Sequence, residues 1–300
     1  MAKTGAITAI VIWAAVAVGL IILLIVGATI GLGRFPARGE LHEVFSLDED
    51  GAAVDSVEIG WHTGHVRVSP SDDGRMRLKQ TSRYNVEPLE YQLTDGKLEI
   101  KQKQNFGLFF FGFGFRSSDL ELSLPQKQYD AFILKMTSGD SDVKSVSAEK
   151  MQITVTSGQL NADGLEAKSI SCNLTSGDIE AENIKADSLK ISMTSGKAIL
   201  DGTFTDIESR TTSGKLEIKT DAVPEKIDSR VTSGDVSVSI PENDGFDLTL
   251  KKTSGSFDTD FDLKGSINNF SGEYTYGTGS SGRNYDIKIT SGKFDLLKSE

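Results

Sequence analysis

The tripeptide Thr-Ser-Gly occurs eight times, with its glycines at Gly139, Gly158, Gly177, Gly196, Gly214, Gly234, Gly255 and Gly292. The gaps are 19, 19, 19, 18, 20, 21 and 37 residues, and the last divides into 17 and 20 at Ser271-Gly272. His62-Thr63-Gly64 is a variant of the same corner upstream. A fixed period near 20 residues belongs to stacked repeats, because a single unit of that size cannot bury its own apolar face.

Hydropathy around each glycine gives the backbone. Positions 7, 5 and 3 before Gly, and 2 and 4 after it, are hydrophobic in 42 of 50 cases over ten corners, against 3 of 50 for the positions between them. Around Gly177 the inward set is Ile170, Cys172, Leu174, Ile179 and Ala181; around Gly64 it is Val57, Ile59, Trp61, Val66 and Val68. Alternation with period two marks half-buried strands and excludes helix. The parity changes at the corner, so one residue breaks the pleat, and glycine tolerates the positive φ that this asks for. The corner serine continues the inward parity and is expected to bond to its stacked neighbours. A second inward pair follows, as in Val146 and Ala148 or Leu165 and Ala167. The expected fold is all-β: a parallel β-solenoid of about ten 19-residue coils over residues 40–300.

The repeat lapses over about 70–130, which reads as an end cap. Tyr91 and Leu93, the turn Thr94-Asp95-Gly96, then Leu98 and Ile100 form an antiparallel hairpin pattern. Leu120, Leu122 and Leu124 mark another strand, and Phe294, Leu296 and Leu297 are expected to close the far end.

Residues 1–36 are a different material. Ile7 to Ile30 carries no charge. As a helix it would cover about 36 Å, enough to cross a bilayer core of roughly 30 Å. A cleaved signal peptide would have a shorter apolar region, and no small-x-small site follows. One uncleaved transmembrane anchor is expected, with the lipid bilayer as its partner. Lys3 on one side and Arg34 and Arg38 on the other leave the orientation undecided by charge.

With the Thr-Ser-Gly corners, the apolar anchor and the Gly/Phe-rich hairpin in view, residues 50–298 resemble the bacterial "putative adhesin" family with β-strand repeats, a domain of unknown function. Some members are membrane-anchored proteins of Gram-positive envelope-stress operons. The resemblance implies a cell-membrane protein with its bulk outside the cytoplasm, and envelope proteins or cell-wall glycans as partners. It implies no catalytic residues.

Phe106, Phe109, Phe110, Phe111, Phe113 and Phe115 crowd one hairpin tip. Two readings stay open: a loop that touches membrane or partner, and a flap that caps the solenoid. His62 and His65 lack the further ligands a metal needs. Asp140, Asp178 and Asp235 follow corner glycines but alternate with Lys197, Lys215 and Lys293, which speaks against calcium. Lys135, Arg210, Arg230, Lys251 and Lys288 lie in one outward row, interrupted by Thr154, Asn173 and Ser192. No phosphate loop or nucleophile motif is present, so no cofactor is expected. The net charge of −11 leaves no cation surplus for nucleic acid. Cys172 is the single cysteine, so no intrachain disulfide can form. A binding or scaffolding module is the favoured reading, and a carbohydrate-active solenoid enzyme the alternative.

Overall fold

The computed structural model describes residues 40–103, 116–267, 270–278 and 282–299. The expected anchor, its helix over 7–30 and all six phenylalanines of the hairpin tip lie outside these residues. Among the described residues no helix is long and apolar enough to cross a membrane, and the helical content is one short turn, Gly51–Ala53.

Everything else is strand and turn, wound in coils. Ala148 pairs in parallel with Tyr129 on one side and Ala167 on the other; Ile153 pairs with Leu134 and Cys172. Each coil therefore advances the register by 19 residues. After the corner a second parallel ladder repeats the arrangement, with Leu160 between Ser141 and Ile179. The strand Glu166–Thr211 bends through successive coils without leaving the ladders. The inward positions read from the sequence are buried: Ile170, Cys172, Leu174, Ile179 and Ala181 in one coil, Leu189, Ile191, Met193, Ala198 and Leu200 in the next. Val146, Ala148, Leu165 and Ala167 complete the core at the second bend.

Glycine is needed at the first corner mainly because the coils touch there. A Cβ added to Gly158 would lie 1.8 Å from the carbonyl oxygen of Gly139, and one on Gly196 would lie 2.0 Å from that of Gly177. The contacts run as one column through Gly64, Gly139, Gly158, Gly177, Gly196, Gly214, Gly234, Gly292 and Gly255. Positive φ is an added requirement at Gly64, Gly139, Gly158, Gly196 and Gly214, but not at Gly177. For Gly177 the expected backbone reason gives way to close approach, with the Gly158 carbonyl oxygen 2.4 Å from its would-be Cβ. Second corners use left-handed residues that share no identity: Ser145, Gly164 and Asn183, spaced one coil apart.

The corner serines correct another expectation. Ser138, Ser157 and Ser176 are exposed, because their backbone N–H groups stay in the ladder, as in Ser157 N donating to Thr137 O at 3.0 Å. Some still bond along the stack from outside: Ser291 Oγ donates to Thr232 O at 3.0 Å, and Ser195 Oγ to Thr175 O at 3.2 Å. The hydroxyl pair inside the core is Ser209 with Ser229, 2.7 Å apart.

Both ends depart from chain order. At the amino end, Glu90–Thr94 and Lys97–Lys101 form the expected hairpin, with Asp95 and Gly96 both at positive φ. It adds to the outside of Ser56–Trp61, and Tyr91 and Leu93 remain 39% and 36% exposed because among the described residues their strand pairs with Lys97–Lys101 alone, with the Phe45 ring 5.4 Å from that of Tyr91. At the carboxyl end, Ser271-Gly272 is no corner. Ser271–Gly277 runs antiparallel to Gly245–Lys252 and to Lys264–Ile267, and so forms a cap. Phe294, Leu296 and Leu297 do not close the rod either. Their strand, Lys293–Lys298, lies between Asp235–Ile240 and Ser256–Thr259, just as Asn284–Ile289 lies between Lys226–Val231 and Gly245–Lys252.

The order follows from composition. The last coil offers Tyr285, Ile287, Ile289, Phe294 and Leu296 to the core, all buried. The coil before it places Lys252 and Thr259 at equivalent positions, both only half-buried. A coil with a lysine at an inward position suits the end, where one side meets water.

Candidate binding surface

The Phe-rich stretch itself is not described, but its two ends are fixed by buried polar groups. Gln102 Oε1 accepts from the backbone N–H groups of His62 and Thr63 at 2.8 and 2.9 Å. Its Nε2 donates to Ser118 Oγ at 2.9 Å, and Gln80 Nε2 donates to the same oxygen at 2.9 Å. Trp61 Nε1 donates to Ser118 O at 2.8 Å. These groups sit at the end of an aliphatic stack, where an unpaired amide would be costly. No periodic signal marks this knot, since each member occurs once.

Beside it runs a shallow groove floored by Gly60 and His62 and rimmed by Lys101, Lys103, Lys135 and two glutamates. Its rim charges are engaged already: Lys103 Nζ lies 3.4 Å from Glu90 and 3.7 Å from Glu87. Lys135 and Lys97 both reach Glu58 at 2.6 Å. The bond from Lys135, and then that from Lys97, hold the Glu58 carboxyl below the ordinary carboxylate range.

The outward cationic row is assembled as the spacing implied, in spatial order Arg210, Arg230, Lys288, Lys251. An acidic row, Glu208, Asp228 and Asp286, runs alongside. Arg210 bonds Glu208, Arg230 Nη2 lies 3.3 Å from Asp228, and Lys288 Nζ lies 2.7 Å from Asp286. Burial alone would raise Glu208, but Lys190 and Arg210 hold it below the usual range. The two rows thus neutralise each other over three strands, while Lys251 stands beside Thr249.

His62 and His65 do not converge. His65 Nε2 lies 2.7 Å from Asp142 Oδ2, whereas His62 Nδ1 faces Thr137 Oγ1 at 3.3 Å. Among the described residues no group of three or more metal-type side chains comes together. Asp235 stands between Lys215 and Lys293.

A model of the Toastrack DUF4097 family, a domain of unknown function, matches residues 54–297. The chain belongs to that family. A search of curated proteins finds no match. Among solved structures, a "putative adhesin" from Parabacteroides distasonis is 15% identical, covering 87% of this chain and 98% of that one, with a TM-score of 0.46. A "putative lipid binding protein" from the same organism gives 15%, 87%, 98% and 0.45. A "putative adhesin" from Bacteroides fragilis gives 13%, 87%, 97% and 0.41. At these TM-scores they carry no functional argument.

In this Toastrack domain the lone thiol offers no chemistry. Cys172 is buried, and burial pushes its pKa up to about 12, so little thiolate forms near neutrality. A maleimide reagent is expected to leave the native chain unlabelled and to label it fully in urea. Rapid labelling of the native chain would contradict the stacking of Cys172 between Ile153 and the next coil.

Proposed function

We propose that this chain is a single-pass membrane protein whose Toastrack domain stands outside the cytoplasm. There it works as a binding or scaffolding module of the bacterial envelope, with a link to envelope stress, and not as an enzyme. The observation that carries the reading is the pairing of a long charge-free run, Ile7 to Ile30, with a regular rod on which outward charges pair with one another at successive levels. Such a rod presents flat, repeated faces rather than a reactive cleft.

The behaviour of the carboxylates supports the non-enzymatic reading. Every carboxylate with a resolved shift, Glu58, Asp73, Asp142, Glu149, Glu208, Glu242 and Asp244, is lowered. Sugar-cleaving carboxylate pairs need one member raised to act as a general acid. The described chain begins at the amino-terminal end, and His42–Asp50 is the outermost strand of its ladder there. An anchor preceding it would leave the regular coils pointing away from the bilayer.

Protease added to intact protoplasts is expected to digest residues 40–300 and to leave a membrane-held fragment of a few kilodaltons. Full protection until lysis would reverse the orientation and remove the envelope role.

A further inference from the structure

Three consecutive coils on the outer face of the first ladder carry no charge in the two rows nearest the corner. Thr154 pairs with Asn173 in the parallel register, and Ser192 follows one coil on. The row beside them is Thr156, Thr175 and Thr194, all exposed. Gln152 and Ser171, also paired, extend the panel along the strands. In a chain with 25% charged residues, this is an unusual surface.

Its hydrogen-bonding groups are unspent. Among the described residues none of these side chains makes a hydrogen bond within the protein. On either side of the panel along the rod, Lys135 is engaged with Glu58 and Lys190 with Glu208 at 3.2 Å. A polyanion or polycation laid along these rows would meet no counter-charge within the panel. A polymer that is uncharged but dense in hydroxyls would find donors and acceptors repeated at the strand spacing of about 4.8 Å, close to the step of an extended chain of pyranose rings.

We propose that this panel binds an uncharged polysaccharide chain lying along the rod, an inference that rests on the binding-module reading and names its partner class. Row-wise contacts of this kind are individually weak and add through repetition. The threonine row continues beyond the panel through Thr212, Thr232, Thr290 and Thr253, so a longer glycan gains contacts as it lengthens.

The test uses the full chain in detergent, titrated with N-acetylchitohexaose and cellohexaose, with a heparin oligosaccharide as the charged control. The variant is the triple change Thr154→Val, Asn173→Val and Ser192→Val. It removes the polar groups but raises strand propensity, so the urea midpoint should hold. Expected are binding of a neutral oligosaccharide that is insensitive to salt and a loss of about tenfold or more in the variant. Absence of binding to both neutral probes, binding of heparin alone, or equal affinity in the variant would each overturn the proposal. So would a dimer of the wild-type chain that the variant abolishes, which would make a second copy the occupant. Protease exposure of residues 40–300 does not depend on any of these outcomes, so failure here leaves the anchored-module reading standing.

Discussion

Urea unfolding of the chain carrying Ile191→Asp is expected to show a loss of about 3–5 kcal/mol, the cost of a buried charge with no partner. Ile191 is fully buried, and the same slot in the adjoining coils is held by Cys172 and Ser209, both buried and neither a cation. Leu174→Asp, at a different inward slot of the preceding coil, should behave alike. The neighbouring change Lys190→Thr removes a surface pair with Glu208 and should cost less than about 1 kcal/mol. Damage should begin locally, since each coil contacts only its neighbours. Equal losses at inward and outward positions would refute the coil geometry.

Truncation after Gly277 is expected to do more harm than any single substitution in the same coil. It removes Tyr285, Ile287, Ile289, Phe294 and Leu296, each buried, and with them the strands that, among the described residues, join Gly245–Lys252 and Ser256–Thr259 to the rest of the ladders. Phe294→Ala alone should cost about 3–5 kcal/mol by leaving a cavity. Phe257→Ala should cost clearly less, because Phe257 stacks on Phe294 with its other side half open. Hydrogen exchange would show the truncated chain losing protection from residue 245 onward. Retained protection there would mean that coil 245–259 can dock directly on coil 226–240.

The repeat was readable because identical residues must meet where coils touch. The glycine column needs a bare Cα at each level, and the inward rows need apolar side chains at each level, so both recur at one period. Elements that occur once left no such trace. The Gln80, Gln102 and Ser118 knot is one; the second corners do recur, but through Ser145, Gly164 and Asn183 they share no residue type, since a left-handed backbone accepts serine and asparagine as well as glycine. The insertion of the last coil was written in the sequence through Lys252 and Thr259, but reading it requires asking which coil tolerates water, not which comes next in the chain. Ser271-Gly272 misled for the same reason: it matched the corner dipeptide, and only pairing reveals that its strand runs the other way. The binding panel escaped notice because it is defined by missing charge, which in a single row looks like an interruption.

The interior position of the final coil also bears on biosynthesis. A solenoid whose coils stack in chain order can close behind the ribosome as each repeat emerges. Here residues 284–298 must enter between two coils that were made before them, so coils 226–240 and 245–259 cannot reach their final arrangement until residues 284–298 have emerged. A nascent Toastrack chain halted before residue 284 would hold its earlier coils but expose the edge strands meant to receive the inserted one, and those edges would be the place where chaperones or neighbouring nascent chains take hold.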